Sequence, residues 1–144
     1  MEQELFNYLQ NAEFEKAANL LRHVNNVKIK EMLLTIAYES ESIVCIGFSS
    51  YMFQISNNYF WYDCIVSLLS NPLCFIEGAY SLAYHYSKET LKHERSEDNL
   101  VQMLFFNEIP EKLLADAEAL SIAKEVIALN PNNEAAKKYI QYKR

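Results

Sequence analysis

Glycine and proline are scarce in this chain of 144 residues, with two and three copies respectively. All-β sandwiches and barrels need many such residues to turn their corners, and collagen-like or linker-rich chains need far more. Lysine and arginine are absent between positions 45 and 87, where only Asp63 and Glu77 carry a full charge at neutral pH. The hydrophobic fraction of 51% is nevertheless typical of a folded domain. These features exclude the all-β, fibrous and disordered classes.

The chain is acidic, with 19 Asp and Glu against 13 Lys and Arg and a formal net charge of -6. Negative charge repels a phosphate backbone, so we expect no nucleic-acid partner. The same field attracts a basic protein, although moderate net charge also serves simply to keep a domain soluble. Net charge alone leaves both interpretations open.

The three cysteines, Cys45, Cys64 and Cys74, are odd in number and form no CxxC pair. A disulfide framework or a zinc ribbon is therefore not expected, and all three are predicted to be buried free thiols. The acidic N-terminus leads directly into a helical pattern, unlike a secretory signal. The uncharged stretch 42–62 contains too many Ser, Asn and Gln residues for a membrane span. We therefore expect a cytoplasmic protein without membrane association.

Apolar residues recur with a period close to 3.6 along most of the chain, which indicates amphipathic helices. No segment alternates with a period of two for long enough to predict a strand. We predict an all-α fold of about nine helices in a single domain, 1–144, stacked in antiparallel pairs as a bundle or a solenoid. The predicted helices span 5–9, 14–24, 29–37, 43–55, 59–70, 72–92, 97–107, 110–129 and 131–142.

The three prolines are predicted to mark helix starts. Asn71-Pro72, Ile109-Pro110 and Asn130-Pro131 each precede an apolar run of helical period. Proline at the first helical position costs no intrahelical hydrogen bond, and asparagine is a favourable N-cap. In the helix that would start at Pro72, Glu77 and His85 lie on one polar stripe.

Two segments resemble tetratricopeptide repeats, a family of helix pairs about 34 residues long. The segment from Tyr8 to Ala17 is similar to the turn between the two helices of that repeat, and the segment from Ala119 to Pro131 resembles its closing helix and proline. Ala17 and Ala119 are 102 residues apart, which equals three such periods. Tyr51 and His85 occupy the intervening positions, where the family has a small residue. The resemblance implies a superhelix with one concave face.

The middle of the chain resembles a segment of small helical immunity proteins, which bacteria encode beside polymorphic toxins. The resemblance rests on Phe60-Trp61-Tyr62-Asp63, on the stretch from Asn71 to Tyr80, and on Ala83-Tyr84-His85. It carries no catalytic signature. It implies a cytoplasmic protein that binds and silences one toxin domain.

Catalytic and metal-binding patterns are weak. His85, Glu89 and His93 share one helix face, but the HExxH and ExxH spacings of zinc and di-iron helices are absent. Cys64 with Asp63 and a distant His85 would be a possible nucleophile and base, yet Cys64 lies on the apolar side of an apolar helix, where a buried thiol is inert. We expect no enzymatic activity, no metal and no cofactor.

The aromatic residues provide the candidate binding site. Most of the 10 Tyr and 8 Phe lie between positions 48 and 86. Phe48, Phe60 and Phe75 are expected in the core. Tyrosine is enriched at interfaces, and for the tyrosines near the two isolated carboxylates both core and interface positions stay open. The candidate partner-binding residues are Asp63, Glu77, Tyr62, Tyr80, Tyr84 and His85.

The sequence thus predicts a binding protein that neutralises a basic toxin domain by occlusion, with the tyrosines and the two carboxylates on the contact face. The alternative is a helical-repeat adaptor or chaperone that binds a peptide or protein segment. An enzyme is the third class, disfavoured by the absence of a catalytic pattern. The sequence predicts no oligomeric state.

Overall fold

A computed structural model describes residues 1–142, and nine helices cover 74% of them. No strand occurs in this part of the chain. The prediction of an all-α fold with about nine helices is confirmed. The helices are α1 (Glu2–Gln10), α2 (Phe14–Leu20), α3 (Asn26–Ser40), α4 (Val44–Ser56), α5 (Phe60–Ser70), α6 (Ala79–His93), α7 (Glu97–Glu108), α8 (Asp116–Leu129) and α9 (Glu134–Tyr142).

Several helix ends follow from local capping chemistry. The side chain of Asn25 accepts a hydrogen bond from the Lys28 amide at 2.9 Å and caps α3. Ser96 caps α7 in the same way, through the Asn99 amide at 3.2 Å. Helix α4 ends at Asn57, whose φ of 55° is the left-handed conformation common at helix C-termini. The helix predicted over 43–55 ends within one residue of its predicted end, whereas the one predicted over 14–24 already ends at Leu20.

The prediction that a helix starts at Pro72 is wrong. Residues 71–78 instead form a series of turns, which we call the 71–78 turn, and α6 starts at Ala79. Gly78 has a φ of +84°, a conformation that a right-handed helix does not contain. Glu77 consequently lies in the turn, and not on the polar stripe of a helix.

The other two prolines do not start helices either. After Pro110, Lys112 adopts a φ of 45° and interrupts the helical path, so that α8 starts only at Asp116. After Pro131, the side chain of Asn133 accepts a hydrogen bond from the Ala136 amide at 3.0 Å and caps α9. In each case a residue beyond the proline sets the helix start.

The chain divides into two compact units, unit 1 from Met1 to Ala83 and unit 2 from Tyr84 onward, and α6 runs through the division. Unit 1 contains α1 to α5 and the start of α6. Unit 2 contains the rest of α6 with α7, α8 and α9. The single domain and the superhelix stay predictions.

Unit 1 has an aromatic centre in Phe48, which is fully buried on α4. Its ring meets that of Phe14 edge-on with centroids 5.6 Å apart, and that of Trp61 with centroids 5.7 Å apart. Such pairs stabilise by about 0.5–1.5 kcal/mol beyond the area they bury. Since Phe14 belongs to α2 and Trp61 to α5, Phe48 joins three helices.

Unit 2 contains a buried polar network around Asn107. The Nδ2 atom of Asn107 donates to the Leu114 carbonyl at 2.9 Å and to Asp116 at 2.8 Å. The Tyr139 hydroxyl lies 3.0 Å from both the Oδ1 atom of Asn107 and the Leu104 carbonyl oxygen. The network ties α7 to the segment before α8 and to α9.

Two of the predicted buried residues are exposed. Cys45 and Cys64 are buried as expected, whereas Cys74 is exposed and Phe75 is 61% exposed. Both differences have one cause: the apolar pattern predicts a helix over these residues, and they lie in the 71–78 turn.

Thiol labelling checks this arrangement. Burial raises the pKa of the Cys45 thiol to about 12 and also raises the pKa of Cys64. An aromatic disulfide reagent should therefore modify one thiol rapidly in the native protein and the other two only on unfolding. Cys74→Ser should abolish the rapid phase. Rapid reaction of two or three thiols in the native protein would contradict the assignment.

The network around Asn107 predicts a specific stability loss. Asn107→Ala leaves the buried Tyr139 hydroxyl and the Leu114 carbonyl each short of a partner, at an expected cost of about 1–3 kcal/mol in the free energy of unfolding. The matched control is Asn132→Ala at an exposed position, expected within about 0.5 kcal/mol of the parent. Urea unfolding followed by circular dichroism measures both, and equal effects would contradict the network's role.

Candidate functional site

An apolar groove lies on unit 1 among α2, α4, the 71–78 turn and the start of α6. It is open to solvent and has a volume of about 510 Å³. Among the residues that line it, Glu77 is the one with a charged side chain, and the rest are apolar or glycine. The lining residues of this apolar groove are Phe14, Ile43, Val44, Ile46, Gly47, Leu69, Ile76, Glu77, Gly78, Ala79 and Leu82.

Large apolar side chains are exposed in and beside the apolar groove. Ile43 is 62% exposed and Leu82 is 42% exposed. Phe75, in the same turn as Glu77, is also exposed. Exposed aliphatic side chains around one concave surface make it a candidate interaction site.

The geometry of α4 sets the floor of the apolar groove. Burial of Cys45, Phe48 and Ser49 directs one face of this helix into the core. Ile43 and Gly47 are four residues apart and therefore share the other, outward face. Gly47 presents no side chain there, which leaves space beside the ring of Phe14.

Most of the net negative charge of the chain lies in the unit that carries the apolar groove. Unit 1 holds nine carboxylate side chains and four Lys or Arg, a formal charge of -5. Unit 2 holds ten carboxylate side chains and nine Lys or Arg, a formal charge of -1. The apolar groove thus lies in an acidic unit, and no cation is among its lining residues.

Asp63, the other isolated carboxylate, is engaged within unit 1. Its Oδ2 atom accepts a hydrogen bond from the Lys30 ammonium group at 2.8 Å, and both side chains are partly exposed. The pair joins α5 to α3. Asp63 therefore already faces a cation, which belongs to its own chain.

Tyr62 and Tyr80 have different surroundings in unit 1. The ring of Tyr62 stacks on Phe53 with centroids 3.8 Å apart, and the edge of Tyr59 approaches at 5.4 Å. Tyr62 thus belongs to an aromatic cluster between α4 and α5. Tyr80 is partly buried in the first turn of α6.

Tyr84 and His85 belong to unit 2. Tyr84 packs on Phe106 with centroids 5.1 Å apart, and the Lys88 ammonium group lies 4.4 Å from the centre of its ring. Burial, with a smaller contribution from the Glu118 carboxylate, raises the pKa of Tyr84. His85 is exposed, with its ring against Tyr86.

Of the six predicted binding residues, only Glu77 lines the apolar groove. Sequence reasoning missed Ile43, Gly47 and Leu82, since each resembles an ordinary residue of an apolar helix. One signal was present in the sequence: Gly47 is one of only two glycines and interrupts a predicted helix. A glycine in the interior of a helix forms no turn or cap, so its presence needs a packing or functional explanation.

Cys64, weighed above as a nucleophile, is buried on α5. Burial, and to a lesser extent the Asp63 carboxylate, raises the pKa of the Cys64 thiol, which keeps it protonated. Within residues 1–142 there is no group of three or more His, Cys, Asp or Glu side chains placed to hold a metal ion.

No family model, curated protein or solved structure matches this chain. Across residues 1–142, every helix is too short or too polar to cross a bilayer.

The Lys30–Asp63 pair predicts a charge-swap result. Asp63→Lys and Lys30→Asp each place like charges together, and each should lower the free energy of unfolding by about 0.2–1 kcal/mol, since the pair is partly solvated. The double variant should recover most of that loss. Thermal or urea unfolding of the three variants tests this, and strictly additive losses in the double variant would show that the pair is energetically silent.

Proposed function

We propose that this chain is a non-catalytic binding protein whose apolar groove receives a basic surface of a partner protein and thereby blocks it. The carrying observation is the apolar groove itself, with exposed aliphatic walls and Glu77 as its one charged group. Apolar contact supplies most of the affinity of such an interface, and the carboxylate selects a partner with a nearby Lys or Arg.

The partner in this proposal is a bacterial toxin domain, and the chain is its immunity protein, acting in the cytoplasm. The support is the resemblance of 60–63, 71–80 and 83–85 to small helical immunity proteins, since residues 76–79 of that segment also line the apolar groove. The acidic character of unit 1 suits a basic toxin surface. Occlusion then needs no chemistry, only a stable complex.

Charge and apolar contact act on different rate constants in this proposal. The formal charge of -5 on unit 1 speeds encounter with a basic domain, an effect that salt weakens. Burial of Ile43 and Leu82 under the partner slows dissociation, which is where most of the affinity difference between related complexes arises.

The second candidate is an adaptor or chaperone that binds a peptide segment. It is favoured by the size of the apolar groove, because about 510 Å³ accommodates side chains of a single segment. The two candidates differ in genetic context. An immunity protein is encoded beside a large secreted protein with a variable C-terminal domain, and an adaptor needs no such neighbour.

Co-expression tests the proposal. The C-terminal domain of the protein encoded by the neighbouring upstream gene is expressed with and without this chain, and growth rescue and co-purification are scored. We expect Ile43→Asp and Glu77→Lys each to weaken the purified complex at least tenfold, about 1.4 kcal/mol. Ile43 is exposed and precedes the first turn of α4, where a negative charge suits the helix dipole, so this variant should fold.

Two matched controls accompany these variants. Ile55→Asp makes the same change at the other end of α4, at a residue that is 58% exposed and outside the apolar groove. Glu31→Lys makes the same charge reversal at an exposed site on α3. Both should bind as the parent does. Failure of rescue and co-purification with the parent chain would refute the immunity role, and equal losses in the controls would refute the groove as the binding site.

A further inference from the structure

Gly47 is a residue that the fold of unit 1 does not require. It lies inside α4, where glycine is the least favourable residue after proline. A Cβ atom there would lie 3.6 Å from the Cζ atom of Phe14, an ordinary van der Waals distance. Gly47 is exposed and has no positive φ. Alanine would therefore fit and favour the helix, so the glycine has another reason.

That reason is the depth of the apolar groove. Gly47 lines its floor between Ile43 and the Phe14 ring, and any side chain at this position would fill part of the cavity. Glycine at position 47 costs helix stability relative to alanine, and this cost is explained if a group of a binding partner occupies the space beside Gly47. Stability given up at an exposed position is a recurrent feature of binding sites.

The chemistry of the apolar groove restricts the conformation of its occupant. Its walls are apolar, and residues 1–142 contain no strand edge to which an extended segment could pair. An extended segment would bury its amide and carbonyl groups against apolar walls without partners, which is costly. A helix satisfies these groups internally and presents side chains alone.

Charge restricts the occupant further. A helix with Lys or Arg beside its apolar face can place a cation near Glu77, in a unit of formal charge -5. A second copy of this chain would instead bring two acidic units together, so the charge disfavours self-association through this surface.

We propose that the apolar groove binds an amphipathic helix of a basic partner, with an apolar side chain seated over Gly47 and a Lys or Arg beside Glu77. This inference rests on the proposed function and names the form of the partner surface. It makes Gly47 a specificity-determining residue, because a side chain at that position competes with the partner's own.

Synthetic peptides test the inference without the natural partner. The probe is an 18-residue amphipathic helix with Leu at positions i, i+4 and i+7 and Lys on its flanks, and binding is followed by fluorescence anisotropy. Three comparison peptides are a scrambled sequence of equal charge, a version with Glu for Lys, and a version with two central prolines. We expect the first peptide to bind at least tenfold more tightly than each of the other three.

Variants of the chain then locate the binding. Gly47→Ala should raise Tm by a few degrees and yet weaken binding of the first peptide. Gly47→Leu should weaken binding of that peptide at least tenfold, with a Tm no lower than that of the parent. Glu77→Gln should reduce the ratio of affinities for the Lys-containing and Glu-containing peptides roughly two- to fivefold. Glu31→Gln should leave this ratio unchanged.

The contradicting results are separable from failure of the proposed function. Equal binding of the proline-containing peptide, or unchanged binding to Gly47→Leu, would overturn the helix inference while leaving rescue by co-expression intact. Equal binding of the scrambled peptide would overturn it as well, because charge alone would then explain the affinity. Failed rescue with intact helix binding would overturn the immunity role and leave the inference standing for an adaptor.

Discussion

The packing of Phe14 against Phe48 is the contact on which the candidate site depends. The edge-on meeting of these rings, with centroids 5.6 Å apart, holds α2 against α4, and the Trp61 ring fixes Phe48 from the side of α5. With Phe48 inward, the helical repeat turns Ile43 and Gly47 outward. The same contact therefore links the core to the apolar groove, because Phe14 is partly buried against the core and also lines the groove.

Electrostatics separates the two isolated carboxylates into different roles. Asp63 is neutralised locally by Lys30 and contributes to the packing of α5 on α3. Glu77 lies in a turn at the rim of an apolar cavity and meets no cation among the groove residues. Because Glu77 is exposed, its carboxylate is accessible to a cation on a partner surface. The difference between these residues lies in their neighbours, which the sequence alone does not give.

The sequence predicts the helices well because each is a local pattern. Apolar periodicity acts over a few residues, and so do the caps that the structure shows at Asn25 and Ser96. The helix expected from Pro72 starts only at Ala79, because the turn that ends in Gly78, with its positive φ, interrupts the helical path. That single shift also exposes Cys74 and Phe75. Periodicity does not register a turn formed by largely apolar residues, so these two residues were expected in the core.

The candidate site is predicted less well, because a groove is formed by residues distant in sequence. Glu77 was found from its isolation among uncharged residues, and that signal is local. Ile43 and Leu82 were not found, because their exposure depends on how α4 and the start of α6 pack. Gly47 was visible as a rare residue, but its meaning depends on the distance to Phe14.

Site-specific photo-crosslinking tests the central claim, that the partner docks in the apolar groove, most directly. A benzophenone amino acid is placed at Ile43 in one variant and at Ile55 in another, two exposed isoleucines at opposite ends of α4. Each variant is irradiated in cells that express the proposed partner, the C-terminal domain encoded by the neighbouring upstream gene. The account predicts a crosslinked product with that domain from position 43 and none from position 55. A product from position 55 alone, or from neither position in cells rescued from the toxin, would contradict it.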